Sequence, residues 1–154
     1  MRKFEQLTQG HIEIIKEWLR EDDEGEKRLG SYNDPQKWLD LIDFEKRFGW
    51  IFFEDNVPIG FVDMEVVDRR IGHIASYISP NMRKRGYCKI IHELLFQEVG
   101  DMNLEMLVGS VEEDNVISRK CMDSLHFVED GKDKDGLVVY KLKIEKASKT
   151  KQKF

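Results

Sequence analysis

Three consecutive cations, Arg83-Lys84-Arg85, are followed at once by Gly86. They sit between an apolar run, Ile74 to Ile78, that stops at Pro80 and a helical pattern with Ile90, Ile91, Leu94, Leu95 and Val99 on its apolar side. A strand, a tight basic loop and a helix N-terminus together make an anion site. The first N–H groups of a helix have no intrahelical acceptor, and the helix dipole is positive at that end. Gly86 permits close backbone approach, and the flanking side chains add mobile positive charge. The expected occupant is the pyrophosphate of a cofactor. The segment lacks the third glycine and the downstream acid of a dinucleotide fingerprint, and it lacks the Gly-Lys-Ser/Thr of a P-loop.

Arg83-x-x-Gly86-x-Cys88 resembles the Arg/Gln-x-x-Gly-x-Gly/Ala loop of the GNAT superfamily of N-acetyltransferases, which holds the pyrophosphate of acetyl-CoA. A second block agrees with it in order and spacing. Asn115-x-x-Ser118, with Leu125-His126-Phe127 after it, is similar to the family's Asn-x-x-Ser/Ala and Leu-Gly-Phe stretch. The resemblance covers roughly Ile59 to Phe127. It implies acetyl-CoA as cofactor, with Ile78, Arg83, Lys84, Arg85, Gly86, Tyr87, Cys88, Asn115 and Ser118 against it. It also implies acetyl transfer to a primary amine, either a small cationic amine or a peptide N-terminus, by direct attack in a ternary complex. A non-catalytic acyl-CoA-binding or regulatory protein of the same fold is the alternative, and a nucleotide-binding module using the same loop is a third.

Acyl transfer to an amine poses two problems. An alkyl ammonium with a pKa of about 10.4 must lose a proton, which costs about 4–5 kcal/mol at pH 7. The tetrahedral oxyanion and the leaving thiolate need donors, commonly a backbone N–H. In the family the strand before the basic loop faces the thioester, here near Tyr77 to Ser79, and a Glu near the start of that strand serves as base. That position is Gly72 in this chain. His73 beside it can titrate near neutrality. Asp63 and Glu65, alternating with Val62 and Met64, share one face of the preceding strand. Asp63, Glu65 and His73 are therefore the candidate catalytic residues. The family's Tyr acid falls on Met122, which carries no proton, and Tyr32, Tyr77 and Tyr140 are the substitutes to consider. Cys88 stands where the loop has Gly or Ala, and His126 stands where Leu-Gly-Phe has Gly. A histidine there tolerates a positive φ only at some cost.

The chain has 154 residues, 40% hydrophobic and 36% charged, with a formal net charge of -5. That length fits one domain with one well-buried core. The acidic balance argues against a nucleic-acid partner. No apolar run approaches the ~20 residues of a membrane span. Met1-Arg2-Lys3 leads into no apolar segment, so no signal peptide is read. Two cysteines suit free thiols in a reducing compartment, and a cytoplasmic location is the expectation. No metal site is expected.

These residues must be positioned by a mixed α/β domain (α+β), its mostly antiparallel sheet flanked by helices in the order β-α-α-β-β-β-α-β-α-β-β. The first strand is read over Phe4 to Leu7 and a helix over His11 to Leu19. An acidic loop, Glu21 to Glu26, could rim an acceptor pocket for a polycation. A second helix opens at Pro35 and runs to about Arg47. Gly49 punctuates, and Trp50–Glu54 and Val57–Val67 form a hairpin around Asp55-Asn56. Strand Ile71–Ile78, the helix after Gly86 ending near Gly100, strand Leu104–Val111 and a helix opened by Asn115 follow. Ile117, Cys121 and Leu125 supply the apolar positions of that helix. A final pair, Phe127 to Glu129 and Leu137 to Ile144, offers an edge through which a homodimer could form. The domain is placed at 1–145, with a basic, frayed tail at 146–154. Trp18, Trp38 and Trp50 are assigned to the core.

Overall fold

A computed structural model describes residues 1–22 and 34–144. The expected residues Asp23, Glu24, Glu26 and Tyr32 and the tail 146–154 lie outside these. The strands are β1 (Arg2–Gln6), β2 (Arg47–Glu54), β3 (Val57–Val67), β4 (Ile71–Ile78), β5 (Met106–Val111), β6 (Val128–Lys132) and β7 (Val138–Lys143). The helices are α1 (Ile12–Glu21), α2 (Pro35–Leu41), α3 (Tyr87–Val99) and α4 (Val116–Ser124), with short 3-10 turns at Gln9–His11 and Pro80–Met82. One sheet takes the order β1-β2-β3-β4-β5-β7-β6. Every neighbouring pair is antiparallel except β4 and β5. The expected α/β class and element order are found. No described helix is long and apolar enough to cross a membrane.

Successive strand residues face opposite sides, and both sides of the central strands are buried. Trp50, Phe52, Val62, Met64 and Ile74 join Ile91, Leu95 and Val99 of α3 in one core. Ile51, Phe61 and Tyr77 join Ile12, Ile15 and Trp18 of α1 and Trp38 of α2 in the other. This explains why Trp50-Ile51-Phe52 reads as an unbroken apolar run. All three tryptophans are buried.

Several boundaries differ from expectation. Helix α2 ends at Leu41, not near Arg47, because Asp43 captures the backbone N–H groups of Glu45, Lys46 and Arg47 at 2.9, 2.8 and 2.9 Å. Those bonds, led by Arg47, hold the Asp43 carboxyl down to about 2. Strand β2 therefore begins at Arg47 and runs through Gly49. Gly100 closes α3 in a right-handed conformation, φ -56°, so no left-handed cap is formed. Ile117 is 61% exposed, whereas Cys121 and Leu125 are buried. The two cysteines are not free thiols: Cys88 and Cys121 are joined in a disulfide, with Cα atoms 6.4 Å apart. Their positions, in the first turn of α3 and on the inner side of α4, place the sulfurs face to face. His126 adopts φ 70°, the conformation its glycine-like position requires.

Candidate active site

Strands β4 and β5 pair in parallel from Ile71 opposite Met106 to Ile74 opposite Gly109, and the pairing ends there. Beyond that point the two strands line opposite sides of a cavity of about 690 Å³. Its walls are Ile74–Ile78, Gly109–Val111, the loop with Arg83, Lys84 and Gly86, Tyr87 and Cys88 of α3, and Asn115–Ser118 at the start of α4. Ser79 N–H bonds Ile59 O on β3 at 2.8 Å. By the alternation of an antiparallel ladder, the peptide groups of Ser76 and Ile78 then point the other way, into the gap. These are main-chain donors and acceptors with no strand opposite, suited to an extended polar chain.

The basic loop is shaped by two left-handed residues, Lys84 at φ 63° and Gly86 at φ 82°. Gly86 is the N-cap of α3, and no side chain among the described residues caps that helix. A Cβ at Gly86 would meet nothing within 4 Å, so the space in front of the helix is open. Eight of the nine residues expected at a cofactor line the cavity; the ninth, Arg85, is exposed beside it. Asn115 caps α4 by accepting from Ser118 N–H at 3.3 Å. Tyr87 is held protonated by its bond to Glu54.

Arg83 is engaged within the protein. Its Nε donates to Ile78 O at 3.0 Å, and its terminal nitrogens reach both oxygens of Asp22, at 2.6 and 3.4 Å. The guanidinium lies 5.2 Å from the centre of the Tyr77 ring. Tyr77 in turn donates its hydroxyl to Asp22 at 2.6 Å. Burial first, then the bond and charge of Asp22, push the Tyr77 hydroxyl well above its ordinary pKa. Burial opposes the Arg83 charge, yet Asp22 outweighs it and the guanidinium is held more firmly protonated. Tyr77 is thus a poor acid. Tyr140 accepts from Arg119 at 3.0 Å and is buried.

Sequence reasoning missed Asp22 because it read as one acid of a solvated run. The signal was there in the spacing: Ile15, Trp18 and Asp22 continue one helical stripe at intervals of three and four. A carboxylate on that stripe had to be buried and paired. His92 was also unmarked. It is fully buried, its Nδ1 lies 2.6 Å from Cys88 O, and its Nε2 lies 3.3 Å from Ser76 Oγ. Burial lowers its pKa, so the ring is neutral with Nδ1–H donating to the carbonyl. Cys88, His92 and Cys121 bring three donor atoms within 4.8 Å of one another. With the sulfurs joined and Nδ1 turned onto Cys88 O, the group presents neither a thiolate nor the Nδ1 lone pair.

The three candidate catalytic residues lie on the α1/α2 side of the sheet and not among the cavity-lining residues. Asp63 is buried and accepts from Trp38 Nε1 at 2.6 Å and Arg47 Nε at 2.8 Å. Glu65 accepts from Arg47 at 3.2 Å, and His73 lies opposite Glu65 in the ladder. A side chain at Gly72 would meet Met64 Sδ at 2.8 Å and Leu107 Cδ2 at 3.0 Å. Position 72 therefore faces the core and has no room for a carboxylate.

A mixed sheet with one parallel pair that parts over an uncapped helix N-terminus defines a CoA-type acyltransferase. The sequence matches the acetyltransferase (GNAT) family over residues 12–127, and the chain belongs to that family. It is an acetyl-CoA-dependent N-acetyltransferase. It is 26% identical over 139 residues to the uncharacterized N-acetyltransferase YfmK of Bacillus subtilis, covering 88% of this chain and 93% of that one. Its fold is similar to that of Campylobacter jejuni N-acetyltransferase PseH in complex with acetyl coenzyme A. The TM-score is 0.72 at 18% identity, over 94% of this chain and all of the other. It is also similar to RimL, a ribosomal L7/L12 alpha-N-protein acetyltransferase in complex with coenzyme A. There the TM-score is 0.81 at 13% identity, over 93% and 94% of the two chains.

Proposed function

We propose that the chain acetylates a primary amine, a small cationic amine or a peptide N-terminus, by direct attack while donor and acceptor are bound together. The observation that carries this reading is the parting of β4 and β5 beyond Ile74 and Gly109, directly below the open N-terminus of α3. The residues fit the cofactor. The uncapped N–H groups at Tyr87, Cys88 and Lys89, with the charges of Lys84 and Arg85 beside them and Arg83 at the base of the loop, suit its phosphates. The peptide group of Ser76 and the N–H of Ile78 suit the amides of its arm. Asn115 and Ser118 close the far wall. Acetyl-CoA supplies the acyl thioester. The N–H of Ser76 or Ile78 is placed to donate to an oxyanion in the gap.

Proton removal from the acceptor falls to groups on the α1/α2 side. Ala75 lines the cavity, and His73 follows it on the same face one pleat away, ~7 Å along the strand. A water can bridge that span, with His73 as base and Glu65 beside it. Asp63, held by Trp38 and Arg47, fixes Arg47 against Glu65. Glu21, exposed at the end of α1, adds negative charge that suits a cationic acceptor. One domain over 1–145, no nucleic-acid partner and a homodimer through the last strands complete the reading; a cytoplasmic location no longer has the cysteines in its favour, since Cys88 and Cys121 are joined.

Thermal unfolding with acetyl-CoA, CoA and ATP tests the cofactor site. Acetyl-CoA at 100 times its Kd adds about 2.7 kcal/mol of stability, and ATP adds far less. Thiol release across polyamines, aminoglycosides and peptides then tests the acceptor. Release with none of these overturns the amine reading, and release with peptides alone selects the N-terminal substrate.

A further inference from the structure

We propose that Asp22 is a positioning residue for the cofactor loop. It clamps Arg83 at the cavity wall, so that this guanidinium shapes the loop and leaves phosphate neutralisation to the helix N-terminus and its neighbouring cations. The proposal rests on the cofactor reading above and adds a residue and a role to it.

Strand β4 ends at Ile78 with its carbonyl turned into the gap, where no β5 partner reaches it. Ile78 is half-buried, and its carbonyl, without a strand partner, is open to another donor. Arg83 Nε supplies one at 3.0 Å and so ties the turn from 78 to 83 with a side-chain bond. That places the guanidinium, and a guanidinium has donors to spare. Asp22 takes two of them, with a carboxylate whose side chain is 5% exposed. Tyr77 completes the arrangement, donating to Asp22 and offering its ring to the cation. Arg83 is thus fixed on three sides by groups from α1 and β4. A buried charge pair of this kind is weak evidence for stability, because desolvation offsets attraction. Its contribution is geometric, fixing which way the following peptide groups face.

Two accounts of Arg83 then predict opposite signs for one substitution. If Arg83 acted as a mobile phosphate ligand, Asp22 would be a competitor for it. Asp22→Asn would free the cation, make the site more positive by one charge, and tighten acetyl-CoA binding. If Asp22 positions Arg83, the same near-isosteric change loosens the turn and weakens binding. Misplacement of about 1 Å costs up to ~10²-fold in an organised site, so a loss on the order of tenfold is expected from one relaxed clamp.

The experiment is calorimetric titration of the full chain with acetyl-CoA, with steady-state kinetics on whichever acceptor turns over. Variants are Asp22→Asn, Arg83→Gln, the double variant and Tyr77→Phe. The expected result is a rise in Kd and in KM for acetyl-CoA of roughly tenfold for each of the first two. The double variant should be no worse than either, since one clamp is lost in every case. Tyr77→Phe, which removes one of the bonds to Asp22, should show a smaller rise. Unchanged or tighter binding by Asp22→Asn beside weaker binding by Arg83→Gln overturns the proposal in favour of a direct phosphate contact. A fall in kcat with KM for acetyl-CoA unmoved overturns it in favour of a merely structural pair. If the unsubstituted chain fails to bind acetyl-CoA, the cofactor reading itself falls and takes this one with it. Wild-type binding with an unaltered Asp22→Asn overturns the clamp alone.

Discussion

Helices α3 and α4 both begin at the wall of the cavity, and they begin in opposite ways. Asn115 turns its side chain back onto the N–H of Ser118, so α4 satisfies its own first turn. Helix α2 does the same through Asp34 and Lys37. Helix α3 has a glycine at that place, in the left-handed region, and no side chain among the described residues turned onto its first N–H groups. An uncapped first turn leaves donors to be satisfied from outside. Next to Lys84 and Arg85, the outside partner that these donors favour over water is an anion. The contrast separates a first turn satisfied from within from one left open, at two helices that both line the cavity.

The two helices are tied together by Cys88 and Cys121, 33 residues apart in the chain. This gives the largest expected effect. Closing a loop of that length stabilises a protein by roughly 3–4 kcal/mol, or about 10 °C in midpoint for a domain of this size. Unfolding with and without reductant, and of Cys88→Ser with Cys121→Ser, should show that drop. If the oxidised and reduced chains unfold together, the two helices are held together by packing alone.

How much of this contrast was legible beforehand follows from the range of the interactions involved. Asn115 as a cap and Gly86 as a turn residue are local facts, written in neighbouring residues, and both were read correctly. The hairpin at Asp55-Asn56 was equally plain, with φ 49° and 68° at the two turn residues. The end of α2 was missed because Asp43 competes for backbone N–H groups only once the chain bends around it. The parting of β4 and β5 was out of reach. It depends on how far β5 runs in register with β4, and a parallel pairing is decided by partners far apart in sequence. Asp22 and Arg83, 61 residues apart, belong to the same class. So do the two sulfurs.

Changing the starts of the two helices should then cost similar stability and very different binding. Gly86→Ala forces a Cβ into the left-handed region at a cost of about 1–2 kcal/mol. There is no clash, since nothing lies within 4 Å. Its acetyl-CoA affinity should fall as well, because the methyl stands in front of the open N–H groups. Asn115→Ala removes the cap for about 1 kcal/mol, whereas Asn115→Asp keeps the acceptor and should hold or raise the midpoint. Chemical denaturation gives the stabilities and calorimetry the affinities. If Asn115→Asp is stable but binds acetyl-CoA weakly, the amide of Asn115 faces the ligand as well as the helix. The two N-termini would then be less different than their caps suggest.

The smallest expected effect lies one turn into α4. Ile117 was expected to pack with Cys121 and Leu125, but it is 61% exposed and lines the cavity mouth. A side chain that leaves water only slightly on folding contributes little to stability, so Ile117→Ser should shift unfolding by no more than about 0.5 kcal/mol. An apolar side chain exposed on the cavity wall can be covered by what binds there. The same variant should therefore weaken acetyl-CoA binding by more than its stability changes. Equal and small changes in both would assign Ile117 to ordinary surface, and α4 would then meet the ligand only through its polar first turn.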